Sequence, residues 1–90
     1  MSESATGSVT VKHDLGLHLR AAGVLVTAAA KFDCEITLHS GNKTANGKSI
    51  MSVLSLAAAH GTKLRIDATG PDAIQAVNTI VKVVEANFNF

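Results

Sequence analysis

The residues best suited to chemistry meet in one stretch, HDLGLHLRAAGVLV (His13–Val26), where His18 and Arg20 stand two positions apart. A glycine-containing turn gives way there to an apolar run with helical spacing. If a helix begins at Leu19, His18 occupies or neighbours its N-cap, and the unpaired amides of the first turn point at whatever sits on its ring. Those amides and the helix dipole favour negative charge. Arg20 adds a fixed cation able to grip two oxygens at once. An imidazole that is neutral there presents a nucleophilic ring nitrogen. A neutral nucleophile in an anion-holding nest suits covalent capture of a phosphoryl group, because that transfer depends mostly on positioning and charge stabilisation. The His-x-Arg tripeptide alone is common, and a histidine at a helix end is often a plain cap. The surroundings must decide.

The elements that hold these groups follow from periodicity. In SVTVKH, Val9 and Val11 face one side and Thr10 and Lys12 the other, which predicts a half-buried strand. From Leu19 to Lys31 the pattern turns helical, with Ala22, Leu25, Val26 and Ala29 as its stripe. Gly23 inside that helix costs up to about 1 kcal/mol relative to Ala, so a close approach by a neighbouring surface is expected there. CEITLHS predicts a second strand with Cys34, Ile36 and Leu38 on one face; a Gly41-Asn42 turn leads to a short strand, KTAN. GKSIMSVLSLAAAHG predicts a helix from Ser49 to about His60, with Ser49 as N-cap, Gly61 as C-terminal cap, and Val53, Leu56 and Ala57 facing the core. KLRIDAT predicts a strand with Leu64, Ile66 and Ala68 inward. The last helix opens with Pro71 at its first position and Asp72 near its positive end, and Ile74, Val77, Val81 and Val84 form its stripe. The order β-α-β-β-α-β-α, with one polar face per strand and one stripe per helix, predicts an α+β two-layer open-faced sandwich. A four-stranded antiparallel sheet would carry three helices on one face.

The second helix carries more apolar surface than one stripe needs. Ile50, Met51 and Leu54 form a surplus set that reads as a docking patch for a partner protein, with Lys48 and Gly23 beside it.

Ninety residues suffice for one domain, here 7–90, after a flexible lead-in over 1–6. Apolar residues are 47% and aromatics 3%, so the core is aliphatic. A formal charge of +1 and the lack of stacking aromatics argue against nucleic-acid binding. RNA binding on a sheet face bearing Thr10, Lys12, Arg65 and Asp67 is disfavoured on the same ground. The single cysteine, Cys34, suits a reducing compartment and reads as a small buried hydrophobe. No segment reaches the ~20 apolar residues of a membrane span, and the first residues form no secretory signal, so a soluble cytoplasmic protein is expected. His13, His39 and His60 read as surface or strand-end residues, without metal-ligand spacing among themselves or with Cys34; no metal and no cofactor are implied.

GLHLRAA at Gly16–Ala22, followed about thirty residues on by GKSIMSVLSLAAAHG, resembles the HPr family, the histidine-containing phosphocarriers of the bacterial phosphoenolpyruvate-dependent sugar phosphotransferase system. The resemblance runs from about Gly7 to Asn87. It implies that His18 is the phosphoryl acceptor, forming a pros-phosphohistidine on Nδ1, and that Arg20 stabilises the phosphoryl charge. It implies relay from Enzyme I to IIA domains of sugar permeases, by a carrier rather than a stand-alone enzyme. It places the family's regulatory phosphoserine on Ser49, flanked by Lys48 and Ile50-Met51 as in members served by HPr kinase/phosphorylase. A monomer is expected.

The chain departs from the family pattern at Ala21, where most members have proline. It departs again at Thr27 and Ala30, on a helix face where lysines are frequent and only Lys31 remains. Two other readings stay open. One is an HPr-like regulator acting by phosphorylation-dependent protein binding rather than sugar uptake. The other is a protein- or ligand-binding sandwich without phosphoryl chemistry, since such folds host many functions.

Overall fold

Alternation in the strands and the 3.6-residue stripe in the helices produce the expected order. The structure, a computed structural model, describes residues 3–89. Its elements are β1 (Glu3–Thr10), α1 (Leu19–Ala29), β2 (Glu35–Ser40), β3 (Lys43–Asn46), α2 (Ile50–Ser55), β4 (Lys63–Gly70) and α3 (Ala73–Glu85). The strands lie in the order β1-β4-β2-β3, every neighbouring pair antiparallel. Val9, Ile36, Leu38, Ala45, Leu64, Ile66 and Ala68 turn to one face and meet the helices in an aliphatic core. The fold is the α+β sandwich predicted from the pattern. Among the described residues, no helix is long and apolar enough to cross a membrane.

β1 begins at Glu3, so residues 3–6 of the expected flexible lead-in are a paired strand, Glu3 opposite Gly70 and Thr6 opposite Asp67. Met1 and Ser2 lie outside the described residues. The segment ESATG carries no large apolar side chain because its inner face needs small ones. A Cβ on Gly7 would stand 2.7 Å from Cγ1 of Val77 on α3. Pairing there rests on the backbone ladder and on the Thr6 hydroxyl, which donates to Asp67 Oδ1 at 2.7 Å.

The second helix is shorter than its alanines suggest. It ends at Ser55, and Ala57 takes a left-handed turn at φ 50°, so the cap expected at Gly61 belongs to a following turn instead. Ala57 is exposed and Ala58 is buried in its place. A tertiary bond overrides helix propensity here: the Ala58 carbonyl accepts the Leu17 amide at 2.8 Å. α1 likewise stops at Ala29, two residues before Lys31. In α3, Asp72 rather than Pro71 adjoins the first helical residue, and its carboxylate accepts the Asp33 amide at 3.0 Å instead of capping the helix. The α3 stripe is rotated from the expected one. Ala73, Ala76, Val77, Ile80, Val83 and Val84 are buried, while Ile74 is exposed and Val81 half-buried. Cys34 is half-buried against the core.

α3 ends in a Schellman turn. Asn87 and Phe88 take φ of 54° and 61°, the Asn87 amide donates to Val84, and the Phe88 amide donates to Val83. Asparagine tolerates this region well. Phe88 is then buried together with Val83, the apolar contact that accompanies such a turn.

On the outer face, Asp67 gathers three strands: besides Thr6 it meets Arg65 at 3.1 Å and His39 at 2.9 Å. The Thr6 hydrogen bond, then the Arg65 guanidinium and the His39 imidazole, hold its carboxyl below the ordinary range against the opposing effect of partial burial. A depressed folded-state value stabilises the fold above the unfolded carboxyl's pKa of about 4, and that contribution is lost as pH falls through the folded one. Asp67→Asn should therefore unfold at lower urea than the native chain at neutral pH, and the two midpoints should converge under acid. Gly23 supplies a second check. A Cβ built there meets nothing within 4 Å, so no other part of the described chain makes the close approach expected from the sequence. Gly23→Ala should raise stability by up to about 1 kcal/mol, read from the same urea midpoints.

Candidate functional site

The site is assembled by a turn that only glycine can make. Gly16 has φ +66°, and a Cβ there would stand 2.5 Å from the Ala58 carbonyl oxygen. Its amide donates to the His13 carbonyl at 2.9 Å, Leu17 is buried behind it, and the chain then enters α1. His18 is the N-cap residue, extended at φ −82° and ψ −179°, and its side chain makes no capping hydrogen bond. The first helical bond runs from the Ala22 amide to the His18 carbonyl at 2.8 Å, so the amides of Leu19, Arg20 and Ala21 have no acceptor within the helix.

The half-buried His18 ring lies against that of His13, centroids 4.8 Å apart and planes tilted by 57°. Arg20 is exposed and forms no ion pair among the described residues, and the first turn of α1 holds no acidic side chain. His13, Leu15, His18, Arg20 and Ala21 share one cleft of about 330 Å³ with Asn87, Phe88 and Asn89 of the C-terminal turn. A free imidazole, three unpaired amides and an unmatched guanidinium together suit a dianion held on the ring.

Ser49 caps α2: its hydroxyl oxygen accepts the Ser52 amide at 3.3 Å. Ser52 in turn accepts the Asn46 amide at 2.8 Å, joining the helix entrance to β3. Lys48 points the other way, its Nζ donating to the Phe32 carbonyl at 2.7 Å. It stands beside Cys34, whose thiol is pushed up by burial and partly drawn back by the Lys48 ammonium.

The surplus apolar set divides. Met51 is 78% exposed and Ile50 is also open, whereas Leu54 is half-buried on the core. Ile50 faces Arg20, Gly23, Val24, Thr27, Ala28, Lys31, Thr79 and Val83 across an open groove between the helices. The groove thus joins Gly23 and Arg20 to Ile50, leaving Met51 on the rim of α2 and Lys48 outside it. Sequence reasoning overlooked Leu15 and Leu19, which flank His18 and are 73% and 67% exposed. Each is a large apolar residue adjoining a polar turn, and that was their available signal. It also passed over His13 as a strand-end residue. The C-terminal turn left no sign beyond its paired asparagines.

A model of the family described as the PTS HPr component phosphorylation site matches residues 5–86. A phosphocarrier protein HPr of Xylella fastidiosa is 40% identical over 81 residues, covering 90% of this chain and 91% of that protein. A phosphocarrier protein NPr of Shewanella violacea is 38% identical, covering 90% and 89%. Among solved structures, an HPr from Thermoanaerobacter tengcongensis superposes with a TM-score of 0.89 at 33% identity, covering 93% of this chain and 94% of that one.

The Gly16 seat yields a stringent test. Gly16→Ala should cost roughly 2–4 kcal/mol in urea unfolding, from the left-handed backbone and the clash together. The His18 resonances should shift in NMR spectra of whatever fraction remains folded.

Proposed function

Because the chain belongs to the HPr family of the phosphotransferase system, we propose that it carries a phosphoryl group on His18, taken from phospho-Enzyme I and passed to IIA domains of sugar permeases. On loading, the Nδ1 lone pair of His18 forms a new N–P bond, and on unloading the lone pair of the IIA acceptor does the same while the bond to His18 breaks. The N–P bond to the donor histidine breaks, and its electron pair returns to the donor ring. The chemistry is symmetric, so the carrier need only hold the charge and present the ring. The observation that supports this reading is the N-cap placement of His18, beside three amides without helical acceptors and an exposed Arg20 that forms no ion pair among the described residues. Transfer between two histidines requires a partner surface over the cleft. Leu15, which lines the cleft, and the exposed Leu19, Ile50 and Met51 would supply its apolar contact. The setting is the cytoplasm, and the carrier acts as a monomer.

Ser49 is the regulatory site of the same proposal, modified by an HPr kinase/phosphorylase. A phosphate there brings −1.5 to −2 charges at roughly neutral pH to an N-cap, where backbone amides tolerate them. The charge would stand next to Ile50 and Met51, so docking would suffer while the fold survived. A regulator acting through phosphorylation-dependent protein binding would use the same two sites. Exposed Met51, an adaptable contact, is the observation that favours keeping it as a second reading.

The test combines the chain with phosphoenolpyruvate and Enzyme I. Native protein should gain acid-labile, alkali-stable phosphate, His18→Ala none, and Arg20→Ala should be labelled at least about tenfold more slowly. With the kinase and ATP, Ser49→Ala should lose acid-stable phosphate, and its missing cap should lower stability by about 1 kcal/mol. A His18→Ala protein labelled as fast as the native one would end the relay reading.

A further inference from the structure

His13 lies in the same cleft as His18 and Arg20, yet the carrier reading assigns it no part. Its ring is fixed locally: Nδ1 accepts the Leu15 amide at 3.1 Å, while its carbonyl accepts the Gly16 amide at 2.9 Å. With the Nδ1 lone pair engaged, a neutral imidazole must carry its proton on Nε2. The free polar atom of this ring is therefore a donor, and no hydrogen bond among the described residues uses it.

The two rings stand 4.8 Å apart between centroids, close enough for one to limit rotation of the other. A phosphoryl group on His18 would bring three acceptor oxygens into a cleft whose side-chain donors are Arg20, His13 and the asparagines of the C-terminal turn. Of these, only His13 is held by a turn that also builds the Gly16 seat. It is already oriented when the phosphoryl arrives, so little rotamer freedom is lost in making the bond.

We propose that His13 is a second phosphoryl-contacting residue: its Nε2–H donates to an oxygen of the phosphoryl group carried on His18. The inference rests on His18 being the acceptor. It makes this carrier hold its phosphoryl group more firmly than His18, Arg20 and the helix amides alone would.

Two variants separate ring from donor. His13→Phe keeps an aromatic ring but has no donor; His13→Gln keeps an amide donor near the Nε2 position but has no ring. Each is equilibrated with phosphoenolpyruvate and Enzyme I, and the phosphorylated fraction and phosphohistidine lifetime are read by ³¹P NMR. Circular dichroism and thermal melts check that the variants fold. His13→Phe should shift the equilibrium away from the phosphorylated form by roughly three- to tenfold, and His13→Gln should stay within about twofold of the native chain. If His13→Phe matches the native protein, or if both variants lose phosphate equally, the donor role is overturned. Native protein that takes up no phosphate at His18 at all would instead overturn the carrier reading on which it stands.

Discussion

The seat of Gly16 against the backbone of Ala58 is the contact on which the site depends. Two stretches of main chain approach there more closely than any side chain would permit, and the Leu17 amide bonds across the gap. That contact sets the direction in which the chain enters α1, and so where its unpaired amides point. It also explains the fate of the alanine run after α2. The carbonyl of Ala58 serves the neighbouring turn, so the helix yields to a left-handed residue at Ala57 despite good local propensity. Val11 braces the same region, donating to Thr62 and accepting from Gly61, both at 2.8 Å. One set of backbone bonds thus shapes both the entrance to the first helix and the exit from the second.

The two faces of the molecule treat charge differently. On the open side of the sheet, Asp67 is surrounded by Thr6, Arg65 and His39, so that face largely satisfies itself. Asp72 is occupied with the amide of Asp33. Around the first turn of α1 no carboxylate answers Arg20 among the described residues. A guanidinium unmatched among the described residues beside open amides is what the proposed carriage of a phosphoryl anion calls for. On that proposal, apolar side chains around it, rather than a ring of lysines, take more of the task of partner contact.

Element order and type could be read from the chain, because alternation in β2 and β4 and the stripe of α1 are strong, local signals. The placement of His18 at a helix entrance followed from the glycine turn before it, and Ser49 as a cap followed from its position ahead of an apolar run. What escaped depends on contacts distant in sequence. β1 begins at Glu3 because it pairs with β4 and lies under Val77, neither visible in ESATG. The rotated stripe of α3 reflects a close approach to the sheet through Ala73 and Ala76, whereas a hydrophobicity pattern prefers the larger Ile74. His13 was passed over for a different reason: its partner ring is only five residues away, but across a turn whose shape had to be seen.

The C-terminal turn has a practical consequence for anyone handling the molecule. Phe88 is anchored in the core and Asn89 borders the cleft, so a bulky label carried at Asn89 would stand close to the imidazole. Glu3 sits at the far end of an eight-residue strand from Thr10, about 24 Å away at ordinary strand rise. A dye, surface tether or fusion partner attached ahead of Glu3 would keep its bulk clear of the His18 cleft, whereas the same cargo joined at Asn89 would crowd it.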